Sequence, residues 1–186
     1  MNQIVSLAKS AFLISLLAGA SGNAFAGEWF LHKFGELRSY HGHFLNVCAK
    51  AGHGLCRSVQ YRVPPGSDTF FGDASLSVVG TQAGADVIEV FVRTMPHPAP
   101  GPITLMLDSQ PVLLRDDQWA EGTVATPNVA ETFHISDAAM NARIISLMKS
   151  ANTLRISYAG GKGGVRFSLR GFTAARRAIR QLLQTR

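Results

Sequence analysis

Apolar and polar residues alternate with a period of two through much of the chain. Phe44, Asn46 and Cys48 alternate with Leu45 and Val47, and Arg57, Val59, Tyr61 and Val63 alternate with Ser58, Gln60 and Arg62. Successive side chains on a strand point to opposite faces, so both runs predict strands. The span between them, Ala-Lys-Ala-Gly-His-Gly-Leu, carries two glycines and predicts a loop, which makes the pair a hairpin. Further on, Val-Pro-Pro-Gly-Ser-Asp-Thr-Phe-Phe-Gly-Asp is a turn-rich connection. Ala74 to Val79 and Asp86 to Val92 are short β-branched runs around a Gln-Ala-Gly-Ala-Asp hairpin loop. Pro96, Pro98, Pro100 and Pro102 exclude a helix or central strand and predict an extended crossing. Ile103 to Leu107 and Val112 to Leu114 then form a hairpin around Asp108-Ser109-Gln110.

Two segments switch to helical spacing. In the first, Ser136 is placed to cap, Asp137 favours the positive helix start, and Met140, Ile144, Leu147 and Met148 recur on one face. The second begins near Thr173, with Ala175, Ile179, Leu182 and Leu183 on one face and Arg176, Arg177 and Arg180 toward the other. Between them, residues 152–172 read as two alternating strands joined by Gly160-Gly161-Lys162-Gly163-Gly164. A phosphate loop needs a Ser or Thr after its lysine and a helix to follow, so this glycine run predicts a hairpin tip. The pattern is therefore mainly β with one internal helix and a C-terminal helix.

The chain's beginning changes the picture of where this fold works. Lys9, an apolar run from Ala11 to Ala20 and the small-x-small triplet Ala24-Phe25-Ala26 have the layout of a secretory signal peptide over residues 1–26. Its apolar run is too short to span a bilayer, and no later run is longer. Residues 27–186 have the size of a single domain, not transmembrane. Export to an oxidising compartment makes a disulfide the default for the two cysteines, Cys48 and Cys56. Seven residues separate them, against two in a redox motif. Closing so short a loop removes roughly 2.6 kcal/mol of unfolded-state entropy.

Candidate chemistry is sparse. His41, His43 and His53 crowd around the cysteines, and on a strand His41 and His43 would share a face, so a copper or zinc site is the alternative to solvated imidazoles. A cysteine held in a disulfide is lost as a ligand, and the loop carries no carboxylate. No nucleophile elbow or H-E-x-x-H occurs, Asp116-Asp117 falls in a surface turn, and His134 reads as a core neighbour of Phe133. The expectation is a protein without catalytic residues or cofactor. Net charge is +6, or +5 once Lys9 leaves with the signal peptide, and thirteen of the basic residues are arginines. The Arg176, Arg177 and Arg180 face is thus a candidate for anionic lipid or polysaccharide, while export disfavours nucleic acid.

Several short motifs resemble the invasion-associated locus B family. They are Phe44 before Cys48, then Cys56, the Pro100 to Asp108 run, Leu154 to Tyr158, and Ser168-Leu169-Arg170-Gly171-Phe172-Thr173-Ala174-Ala175. Family members often carry a second cysteine pair before the internal helix, where this chain has none. The resemblance implies an immunoglobulin-like β-sandwich exported to the periplasm or outer surface, tied in some pathogens to host-cell invasion and without an established reaction. The resulting expectation is a non-enzymatic envelope protein, a binding or accessory module for an envelope or host protein. The alternative is a periplasmic metal-binding protein using the histidine cluster.

Overall fold

The computed structural model describes residues 27–63, 72–80, 84–94, 101–123, 132–159 and 164–185. The signal-peptide segment, Pro96 to Pro100, the Gly160 to Gly163 tip and most of the 63–73 connection lie outside the described residues.

The first half of the chain forms strands β1 (Phe30–Leu31), β2 (Leu37–His41), β3 (Phe44–Cys48), β4 (Cys56–Arg62), β5 (Ala74–Gly80) and β6 (Asp86–Val92). Strands β7 (Ile103–Leu107), β8 (Gln110–Leu114), β9 (Trp119–Glu121) and β10 (Thr132–Ile135) precede helix α1 (Ala138–Met148). Strands β11 (Thr153–Tyr158) and β12 (Val165–Ser168) lead into helix α2 (Phe172–Gln184). One sheet has the order β1-β2-β3-β4-β5-β6-β10-β9 and the other β12-β11-β7-β8. All pairings are antiparallel. The architecture is a mainly β, sandwich-like arrangement of open sheets with two helices, as the sequence pattern predicts.

The alternation builds the core directly. Leu76, Val78, Ile88, Val90, Phe133 and Ile135 point from the large sheet toward Ile103, Leu105, Leu154, Ile156 and Phe167 of the small one, and all are buried. Ile144, Ile145 and Met148 of α1 join this core. The other half of the inner face, on β2, β3 and β4, is covered by α2, which packs Ile179 and Leu182 against Leu37, Cys48 and Cys56.

Local details depart from the sequence reading. The N-cap of α1 is Asp137, whose carboxylate accepts from the Met140 N–H at 2.7 Å, so the predicted cap shifts by one residue from Ser136. The β7–β8 turn is Asp108-Ser109 alone, and Gln110 pairs with Leu107. Asp108 adopts a φ of 50°, a left-handed conformation that Asp tolerates better than most residues. Its carboxylate accepts hydrogen bonds from the backbone N–H groups of Asn152 and Thr153, which pins the turn to the start of β11. Pro111 sits inside β8, an edge strand where a missing N–H is harmless.

Candidate functional site

The residues that the sequence singles out fall on two sides of the β2–β3–β4 region. Cys48 and Cys56 face each other in the ladder and form a disulfide at the base of the loop. Both are buried beneath α2.

Next to the disulfide runs a polar seam on the same inner face, because Ser39 pairs with Asn46 and Asn46 with Ser58. Ser58 Oγ donates to Asn46 Oδ1 at 2.7 Å, and Asn46 Nδ2 donates to the Ala175 carbonyl of α2 at 2.9 Å. Ser39 Oγ and His41 Nε2 are hydrogen-bonded at 3.0 Å. A serine beside an imidazole is the beginning of a nucleophile–base pair, but both groups are buried under the helix. Burial lowers the His41 pKa below its usual value, and its Nδ1 has no hydrogen-bond partner. The seam thus fastens α2 to the sheet.

The motif at the start of α2 completes this docking. Gly171 has a φ of 92°, and a Cβ there would lie 2.0 Å from the His41 carbonyl oxygen. His43 N–H donates to the Arg170 carbonyl at 3.0 Å. Phe172 is fully buried with its ring 5.4 Å from that of Phe44. Glycine is required because the chain makes a left-handed turn against the β2–β3 hairpin.

Two predicted groupings are corrected. Strand β2 ends at His41, and Gly42-His43 form the turn, so His41 is buried while His43 is exposed and the two do not share a strand face. His53 caps the short 3-10 turn beyond the far end of β3. Five residues of strand hold His43 and His53 about 17 Å apart along the hairpin. Among the described residues, no three metal-ligating side chains converge. The arginine face of α2 is smaller than predicted, because Arg176 is 3 % exposed. Its guanidinium pairs with Asp86 at the start of β6 and donates to the Val78 carbonyl at 3.4 Å. Arg177 and Arg180 remain exposed.

The opposite, outer face of the same three strands carries a groove of about 470 Å³ that the sequence reading missed. Its first cross-strand row is Arg38, Val47 and Arg57, in register on β2, β3 and β4. The second row is Tyr40, Leu45 and Val59, with Tyr61 one step further along β4. Val47 and Val59 form a buried floor, whereas Tyr40 and Tyr61 are 60 % and 44 % exposed. Arg38 is oriented by Glu36, to which its Nε donates at 2.9 Å, and the Tyr40 ring stacks on Phe30 of β1 at 6.0 Å. Arg57 projects from the wall with an exposed side chain. The signal was present as the alternation of Arg57, Val59 and Tyr61, but only the register with β2 and β3 makes it a surface.

Among the described residues, no helix is long and apolar enough to cross a membrane. No family model and no curated protein matches the chain. In fold, the chain is similar to the crystal structure of invasion associated protein B from Bartonella henselae, with a TM-score of 0.54 at 15 % identity, over 80 % of this chain and 99 % of that one.

Proposed function

We propose that the chain is an exported, non-enzymatic member of the invasion-associated locus B family, acting as a binding or accessory module in the cell envelope and in host interaction. The observation that carries this reading is the outer-face groove. It combines an apolar floor with tyrosine and arginine walls, and among the described residues its lining contains one imidazole, His43, but no serine, cysteine or carboxylate. Such a surface holds a ligand by packing and charge and lacks the paired groups that hydrolysis or transfer needs. The shared fold with invasion associated protein B and the Cys48–Cys56 disulfide support an extracytoplasmic setting. Among the described residues the metal-binding alternative finds no converging ligand set, since His53 stands apart from His41 and His43.

Fractionating cells that express the full chain tests the reading. The expected result is an envelope-associated protein beginning at Gly27, and a photocrosslinking side chain in place of Tyr61 captures envelope material there while one in place of Ser146 on α1 does not. A cytoplasmic chain that still carries Met1 overturns it.

A further inference from the structure

Resting on that reading, we propose that the groove on β2, β3 and β4 binds an acidic polysaccharide, with sugar rings seated on Tyr40 and Tyr61 and a ring carboxylate paired with Arg57.

The groove's chemistry selects this ligand class. Among the described residues its lining holds Arg38, Arg57 and His43 and no acidic residue, so these groups favour an anion. Glu36 neutralises much of the Arg38 charge and fixes its guanidinium, leaving it a positioned hydrogen-bond donor. Arg57 is exposed and has no ion-pair partner among the described residues, and a guanidinium fork matches the two oxygens of a carboxylate. Both arginines lie in one row flanking Val47, so their Cα atoms stand about 10 Å apart across two strand spacings. The tyrosines lie beside that row, both exposed and Tyr40 stacked on Phe30, and supply aromatic surface of the kind that packs the C–H face of a sugar. A pyranose carrying a carboxylate is amphipathic in the same sense, with one apolar face and a charged edge.

Other anionic partners fit less well. An extended peptide would gain most of its affinity by adding to a free strand edge, but β3 is paired on both sides, and β2 and β4 are each paired along their length on one side and over part of it on the other. A bilayer surface meets protruding apolar side chains, whereas Val47 and Val59 are recessed at the bottom of the groove, at 6 % and 2 % exposure. A polysaccharide chain is narrow enough to lie between the walls and needs no main-chain partner.

Calorimetric titration of the purified protein, expressed from the full chain, with oligogalacturonate tests this. Saturable binding is expected, together with its loss when the oligomer's carboxylates are reduced to alcohols. Arg57→Gln weakens binding about tenfold and Tyr61→Ala about fivefold, each with an unchanged circular dichroism spectrum. Arg57→Lys, which keeps the charge, retains more affinity than Arg57→Gln, and the pair Arg177→Gln and Arg180→Gln on α2 leaves it unchanged. The proposal is overturned by absent binding, by equal binding of the reduced oligomer, or by affinity indifferent to Arg57 and Tyr61. It is equally overturned if poly-glutamate or phosphatidylglycerol vesicles bind more tightly through the same residues. An envelope-located protein that binds no acidic glycan overturns the ligand class alone, while a cytoplasmic one overturns the reading beneath it.

Discussion

Arg176, in the middle of the buried face of α2, forms its ion pair with Asp86, ninety residues earlier at the start of β6. The arginine is almost fully enclosed while the carboxylate is partly open, with side-chain exposures of 4 % and 31 %. Helix and sheet are therefore joined by a nearly enclosed charge whose acidic partner is partly open to water. Removing one partner of such a pair strands the other charge. Asp86→Ala is expected to cost about 3 kcal/mol in urea unfolding, whereas Arg176→Met, which removes the buried charge itself and keeps the packing stem, costs clearly less. Equal losses for the two variants would mean that packing, not charge, holds α2 in place.

The disulfide should act as a staple. Cys48 and Cys56 are opposed in the ladder and covered by Ile179, so their bond shortens the unfolded chain's freedom without opening onto the groove. Purified native protein is expected to have no free thiol, and Cys48→Ser to lower the unfolding free energy by about 2 to 4 kcal/mol. Ligand binding by the folded variant stays intact. Two titratable thiols in native protein, or lost binding without lost stability, would make the pair chemical instead.

Where inner and outer positions differ sharply in polarity, the sequence was sufficient. Strands β3, β5 to β8, β11 and β12 could be read because one face of each enters an apolar core, whereas β4 alternates in the other sense, with Ser58 toward the seam under α2 and Val59 and Tyr61 toward the groove. Strands β1 and β9 span only two and three residues, too few to show a period. Arg176 was misplaced for a different reason. On the helix wheel it belongs with Arg177 and Arg180, and only the distant Asp86 makes its burial tolerable. Likewise, His41 and His43 look equivalent in the sequence until Gly42 turns the chain between them. The groove was illegible because its rows assemble residues from three strands.

Gly171 offers a sharper test of how α2 enters the fold. A Cβ at this position would meet the His41 carbonyl oxygen at 2.0 Å, and the backbone there is left-handed. The atoms it would meet, the His41 carbonyl and the Gly42 Cα, are main chain and do not yield cheaply. Gly171→Ala should cost at least about 2 kcal/mol or prevent folding, while Gly35→Ala, left-handed but with open space around it, costs about 1 kcal/mol. Similar values for the two would show that the close approach to His41 is not maintained in solution.

Asp108 should contribute stability that acid removes. Its carboxyl is held below the usual carboxylate range chiefly by the Asn152 backbone N–H and then by the Thr153 hydroxyl and N–H. Because the folded pKa is depressed, this contribution is complete above about pH 4, the unfolded value, and disappears as pH falls through the folded one. The stability difference between the native protein and Asp108→Ala is therefore expected to shrink between pH 5 and strongly acidic conditions, measured by thermal unfolding. A difference constant with pH would locate the effect in the turn's backbone rather than in its charge.

His41 should produce a loss of stability in milder acid. Burial lowers its folded pKa below the ordinary 6.5, so the unfolded chain takes up a proton that the fold resists. Stability from this source is therefore full above about pH 6.5 and falls as the pH drops from there toward the folded pKa. The surrounding seam sharpens the effect. Ser39 already engages Nε2, and Nδ1 faces no acceptor that could stabilise a second proton. Urea-unfolding midpoints recorded from pH 8 to pH 5 should decline across this window, and His41→Gln, which cannot be charged, should flatten that part of the curve. An equal decline in the variant would assign the acid sensitivity to groups outside the seam, and α2 would then be held independently of pH.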